Sequence, residues 1–325
     1  MGTVRAIARG CGHYLPSRVV TNDELAERLN TSDEWIRSRT GIGQRHIAAD
    51  DELTSDLGTK AAEAALAAAG LAATDIDAIL VATATPDQTF PSTATRIQHN
   101  LGMTSGFAFD IQAVCAGFIF GLANANGLIL SGMADRILVI GAETFSRILD
   151  WEDRSTCVLF GDGAGAVVLE RSEGTGTPSD RGVLSTCLHS DGAHNRILHV
   201  DGGPSGTQST GVLKMEGKEV FRHAVSKLAD VADEVMERAS VTGDDIDWIV
   251  PHQANYRIIE STAKRAGVPM EKVVVTVESH GNTSAASIPL ALSTAVGDGR
   301  ILPGQLLLME GIGGGLAWGG AVLRW

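Results

Sequence analysis

AAEAALAAAGLAATDIDAIL (residues 61–80) and VADEVMERASVTGDDIDWIV (residues 231–250) overlay without a gap when the chain is shifted by 170 positions. Each reads as a helix, a short polar turn, then Asp-Ile-Asp leading into a buried strand. The same order of elements follows in both copies. Helices are predicted over 91–101 and 255–266, strands over 107–111 and 273–277, helices over 116–131 and 284–296, and strands over 137–140 and 306–308. Each copy closes on a Gly-rich apolar stretch, 163–169 and 319–323. Strands alternating with helices specify largely parallel sheets covered on both faces. The chain is therefore read as α/β, with two similar halves, 1–171 and 172–325, about a pseudo-twofold axis. The period is far too long for a solenoid.

Composition sets the bounds. The 325 residues include 38 glycines, 44% are hydrophobic, and the net charge is −13. That charge disfavours general nucleic-acid binding while allowing a local basic patch. No apolar run is long enough to span a bilayer, and the first residues lack a signal-peptide pattern. The four cysteines, at 11, 115, 157 and 187, have no CxxC spacing. A cytoplasmic protein with free thiols and no structural metal is expected.

In open α/β sheets, ligands gather beyond the carboxyl ends of strands, and three polar residues occupy such ends. Cys115 follows strand 107–111 at the start of a helix, whose free N–H groups favour thiolate and hence covalent catalysis. His252 follows Trp248-Ile249-Val250-Pro251, and Asn282 follows strand 273–277 within His280-Gly281-Asn282-Thr283-Ser284. The repeat makes the turns holding Cys115 and Asn282 equivalent, so the twofold should bring them together. Each residue also has a plain reading: Cys115 as a packed interior thiol, His252 as a strand-end polar group, Asn282 as a turn former.

Beyond these three residues, the chain carries Thr31-Ser32-Asp33-Glu34-Trp35-Ile36, Arg39-Thr40-Gly41-Ile42, Cys115-Ala116-Gly117-Phe118 and Phe160-Gly161-Asp162-Gly163-Ala164-Gly165. Pro251-His252-Gln253-Ala254-Asn255, His280-Gly281-Asn282-Thr283-Ser284-Ala285 and Gly313-Gly314-Gly315 follow in order. With these motifs it resembles the β-ketoacyl-acyl-carrier-protein synthase III family, the condensing enzymes that start type II fatty-acid synthesis. The resemblance covers essentially the whole chain. It implies a thiolase-like fold, two βαβαβαββ halves in a five-layered αβαβα arrangement. It also implies a decarboxylating condensation of a short acyl-CoA primer, acetyl-CoA above all, with malonyl-carrier protein through an acyl-cysteine, and no permanently bound cofactor.

By resemblance, Cys115 is the nucleophile, and His252 and Asn282 are donors to the thioester oxygen during decarboxylation. The backbone N–H groups of Cys115 and Gly314 would form a second oxyanion hole. Trp35 and Arg154 would sandwich the adenine of coenzyme A, with Thr31, Arg39 and Asn255 as further contacts and Met215, Gly217 and Phe221 along the tunnel. Phe90 matches a residue that reaches into the partner subunit's acyl pocket in a homodimer. Acyl carrier protein, itself acidic, would dock on Gln253, Ala254, Asn255, Tyr256, Arg257, Arg222, Lys264 and Arg265, with Arg257 foremost.

Other signals carry less. His189, His194 and His199 recur every fifth residue in a polar loop, a spacing that shares no face of a helix or strand, so no metal is expected there. Gly161-Asp162-Gly163 reads as a turn, because a strand-like run rather than a helix follows. Gly311-Ile312-Gly313 fails the dinucleotide fingerprint, since Leu316 occupies the third glycine position. A biosynthetic thiolase would need a second catalytic cysteine, and none lies beyond Cys187. A specialised synthase with a different primer stays open, and so does a non-catalytic thioester-binding scaffold.

Overall fold

Two sheets with matching strand order organise the molecule in the computed structural model, which describes residues 2–325. The first sheet runs Thr3–Tyr14, Gly163–Gly174, Arg136–Glu143, Ala78–Ala82, Phe107–Ile111. The second runs Gly182–Ser190, Ala317–Arg324, Leu306–Gly313, Trp248–Pro251. In both, the first two contacts are antiparallel and the next is parallel. Helices Gly117–Leu130 and Ser287–Gly297 lie between the sheets. Thr54–Ala69 and Thr93–Asn100 cover the outer face of the first sheet, and Gly217–Ala239 that of the second. The result is five layers, αβαβα.

The central helices are buried because they are apolar nearly all round. Phe118 and Leu122 of one share a single core with Ile288 and Leu292 of the other. The two halves thus bury their inner faces against each other in one shared core. The boundary expected at 171/172 falls inside strand Gly163–Gly174; the chain crosses between sheets at 175–181. That strand extends because Thr3–Tyr14 pairs with it along its whole length.

The repeated Asp-Ile-Asp has a physical reason. The carboxylates of Asp75 and Asp245 accept the N–H of Ala72 and Thr242, closing matched 3₁₀ turns. Ile76 and Ile246 are buried. The second carboxylate in each copy, Asp77 or Asp247, accepts the backbone N–H of Arg136 or Leu306. Each motif thereby ends one turn and anchors the adjacent strand.

One predicted strand is not realised. Segment 273–277 makes a single parallel bridge, Val273 with Ile249, and then turns into the short helix Val277–His280. The side chain of Gln253 takes the place of a neighbouring strand. Its amide donates to Pro251 O at 2.9 Å and Val274 O at 3.0 Å, and its oxygen accepts Thr276 N at 2.8 Å and Val277 N at 3.1 Å. Period-two patterning cannot reveal this, because the partner is a side chain.

Candidate active site

Two strained turns face each other across the pseudo-twofold. Val114 and Ser284 have φ of 48° and 50°, a conformation costly for residues other than glycine. Each opens a 3₁₀ turn, Val114–Ala116 or Ser284–Ala286, that feeds a central helix. The 170-residue offset pairs Val114 with Ser284 and Cys115 with Ala285. Strand Leu306–Gly313 runs hard against the first turn. A Cβ at Gly313 would sit 2.6 Å from Cys115 N, and one at Gly311 3.1 Å from Cys115 O, so these glycines permit the approach.

The turn at 282–287 connects the three polar residues. The Cys115 thiol donates to Ser284 Oγ at 3.5 Å. The backbone N–H of Ser284 donates to Asn282 Oδ1 at 2.9 Å, which leaves the amide nitrogen as Asn282's free donor. Ser287 Oγ lies 2.6 Å from His252 Nδ1. Asn282 is itself held by two backbone bonds, Asn282 N to Leu159 O and Gly161 N to Asn282 O. All three side chains are buried.

Burial dominates the electrostatics. It pushes the Cys115 thiol up to about 12, with the nearby Glu143 carboxylate adding to the shift and the Ser284 hydroxyl opposing it. A helix N-terminus offers at most about 2 kcal/mol, roughly 1.5 pKa units, which falls short of that rise. Cys115 therefore rests as the thiol, not as the thiolate expected from the helix alone. Burial holds His252 down at about 3, so its imidazole is neutral at physiological pH. Glu143 is raised to about 7 by burial, against hydrogen bonds from Thr85 Oγ1 at 2.6 Å and Ala84 N at 3.1 Å. A cavity of about 1420 Å³ opens beside Cys115, lined in part by Thr85, Gln88, Gln112, Phe145 and Gly314.

Comparison with known proteins follows the same lines. The 3-oxoacyl-[acyl-carrier-protein] synthase III family model matches residues 109–192, and its C-terminal model matches 236–325. A β-ketoacyl-[acyl-carrier-protein] synthase III of Rhodobacter capsulatus is 66% identical over 323 residues, covering 99% of this chain and 100% of that protein. The chain belongs to the β-ketoacyl-acyl-carrier-protein synthase III family. It is an acyltransferase of the condensing class that serves fatty-acid biosynthesis. The 3-oxoacyl-[acyl-carrier-protein] synthase III of Aquifex aeolicus VF5 superposes with a TM-score of 0.92 at 45% identity, covering 98% of this chain and all of that one. The priming β-ketosynthase of the R1128 polyketide pathway reaches 0.92 at 38% identity, covering 98% and 96%.

The residues expected from the sequence to contact coenzyme A lie on neighbouring elements. The guanidinium carbons of Arg39 and Arg154 sit 4.9 and 5.1 Å from the Trp35 ring, so a base held between Trp35 and Arg154 requires that arginine to swing. Arg154 also donates to Asn30 O. The Thr31 hydroxyl is buried without a protein partner. Asn255 caps helix Tyr256–Arg265, accepting Arg257 N at 2.9 Å and donating to Arg39 O at 3.2 Å, so its amide is committed to structure. Met215 and Phe221 are partly buried against apolar clusters, and Gly217 begins helix Gly217–Ala239.

The expected carrier-docking set divides. Gln253 is 1% exposed and acts as the brace described above, so it cannot meet a docking protein. Ala254 packs against the cluster of Ile312 and Leu316; Tyr256 lies over Gly41, where a Cβ would meet it at 2.5 Å, but remains 37% exposed. Arg222, Arg257, Lys264 and Arg265 are exposed on two packed helices. Phe90 is 81% exposed and does not line its own chain's cavity. The three histidines do not share the expected loop: His189 is in strand Gly182–Ser190 and bonds Glu234, His194 is in a 3₁₀ turn against His223, and His199 is in the short strand Leu198–Val200 on the cavity wall.

Sequence reasoning missed Glu143, Ser284, Ser287 and Glu310. A signal was present in the repeat. At the 170-residue offset Glu143 stands opposite Gly313 and Ser287 opposite Gly117, each a side chain with chemistry facing a glycine in the other half. Glu310 has both carboxyl oxygens buried without a partner, and burial raises it to about 8. Its backbone oxygen accepts His252 N at 2.8 Å.

Proposed function

We propose that the chain condenses a short acyl-CoA, acetyl-CoA above all, with malonyl-acyl-carrier protein to give a 3-oxoacyl-carrier protein. The Cys115 thiol attacks the acyl-CoA carbonyl, and its proton leaves with coenzyme A as the free thiol. Backbone N–H groups of Cys115 and Gly314 stabilise the tetrahedral oxyanion. Malonyl-carrier protein then loses carbon dioxide, and the bonding electrons pass into an enolate. His252 Nε2–H and the Asn282 amide donate to the enolate oxygen. The enolate carbon attacks the acyl-cysteine, and collapse expels the Cys115 sulfur.

The observation that carries this reading is the pair of neutral donors. Asn282 has its oxygen committed to Ser284 N–H, and His252 is buried and uncharged. Neither is equipped to act as a strong base, and decarboxylation does not require one. The exposed arginines and lysines of helix Tyr256–Arg265, with Arg222, support docking of an acidic carrier. A homodimer is supported by the uncovered edge of strand Phe107–Ile111, whose half-buried apolar residues include no Lys or Pro guard. The exposed Phe90 supports it as well.

Intact-protein mass after mixing with acetyl-CoA tests the proposal. The protein gains one acetyl group and Cys115→Ala gains none; an unmodified wild-type chain refutes it. The likeness to the R1128 priming ketosynthase favours a second reading, a specialised synthase. Turnover of isobutyryl-, butyryl- or octanoyl-CoA well above that of acetyl-CoA would select it.

A further inference from the structure

We infer that Ser287 is a positioning residue that fixes which nitrogen of His252 carries the proton. The inference rests on the reading of His252 as an enolate donor. Ser287 Oγ has two contacts. It accepts the backbone N–H of Gln253 at 3.2 Å and lies 2.6 Å from His252 Nδ1. The hydroxyl has one proton, and Nδ1 is the acceptor it reaches. Ser287 therefore donates to Nδ1, and the neutral imidazole carries its own proton on Nε2. With the opposite tautomer, Nδ1–H would donate to Oγ and strand the serine proton in a buried site. An orphaned buried donor costs about 1–3 kcal/mol, a bias of about five- to 150-fold toward Nε2–H.

The duplication supplies an independent argument. At the 170-residue offset, His252 stands opposite Ala82 and Ser287 opposite Gly117. A Cβ at Gly117 would lie 3.0 Å from Ala82 Cβ, so the mirrored pair occupies the same kind of contact. One half holds Ala with Gly, and the other holds His with Ser. Histidine and serine thus occur together in one half, and small residues fill both places in the other. Ser287 is 1% exposed at the first position of its helix, so its hydroxyl is held out of solvent. A purely structural serine would need no imidazole opposite it.

Two measurements test this. First, ¹⁵N-histidine NMR of the wild-type protein, with His252→Ala as the assignment control, reads the tautomer directly. The expected pattern is protonated Nε2 and unprotonated Nδ1; a proton on Nδ1 overturns the inference without any serine variant. Second, Ser287→Ala is compared with wild type in separated half-reactions. Acetylation of Cys115 stays within about twofold, while kcat for decarboxylating malonyl-carrier protein falls about ten- to a hundredfold. Unchanged decarboxylation, or equal loss of both half-reactions with an unaltered His252 spectrum, refutes the role. A wild-type protein that performs neither half-reaction refutes the proposed function instead, and the tautomer assignment is then judged on the spectrum alone.

Discussion

Gln253→Met separates a brace from a docking contact. Methionine matches glutamine in volume but removes every hydrogen bond, so the effect is not a cavity effect. Four backbone groups lose their partner: Pro251 O, Val274 O, Thr276 N and Val277 N. All four partners sit in a buried stretch, so water cannot replace the amide without opening the fold. At about 1 kcal/mol for each lost bond, the variant is destabilised by about 4 kcal/mol. An unfolding entropy of about 2.1 cal/mol/K per residue makes that a drop of about 6 °C in Tm for a chain of this length. The segment leads directly into Val277–His280 and Asn282, so decarboxylation falls with stability. The assay is a thermal melt alongside steady-state kinetics in malonyl-carrier protein. An unchanged Tm with a raised KM for the carrier substrate would refute the brace and restore Gln253 to the docking surface.

Other outcomes follow from the same geometry. His252→Ala and Asn282→Ala each retain self-acetylation while losing about 10²–10³-fold in malonyl decarboxylation, read by mass and by carbon dioxide release; equal loss of both would contradict the division of labour. Arg257→Glu raises KM for malonyl-carrier protein far more than KM for acetyl-CoA, and a matched rise would remove the docking role. Glu310 shapes stability against pH. Its folded pKa of about 8 lies above the ordinary 4.5, so the stability it contributes is full below pH 4.5 and is lost as pH rises through 8. At about 1.4 kcal/mol per unit, the loss reaches several kcal/mol, and Glu310→Gln flattens the decline in Tm between pH 5 and 9; parallel curves for variant and wild type would exclude it. His252 has the opposite sign, its folded value of about 3 lying below 6.5, so its contribution is present above pH 6.5 and lost as pH falls toward 3.

Much of this protein was legible in the order of its residues. The ungapped repeat, with Asp-Ile-Asp closing one turn and anchoring the next strand in each copy, dictated two α/β halves, because local capping and burial periodicity are properties of short segments. Strand ends pointed to Cys115 and His252, since chemistry in such sheets collects where strands stop, whereas the expectation for Asn282 rested on a strand, 273–277, that the structure replaces with a bridge and a short helix. Three matters depended on packing between distant segments. The 273–277 stretch became a bridge and a turn because a side chain, Gln253, supplied its partner. The Cys115 thiol rests protonated because burial by both halves outweighs its own helix. The tautomer of His252 follows from Ser287, a residue 35 positions away that touches it only once helix Ser287–Gly297 packs against the end of strand Trp248–Pro251. A sequence records which groups are available; desolvation and hydrogen-bond direction exist only after the chain has closed around them.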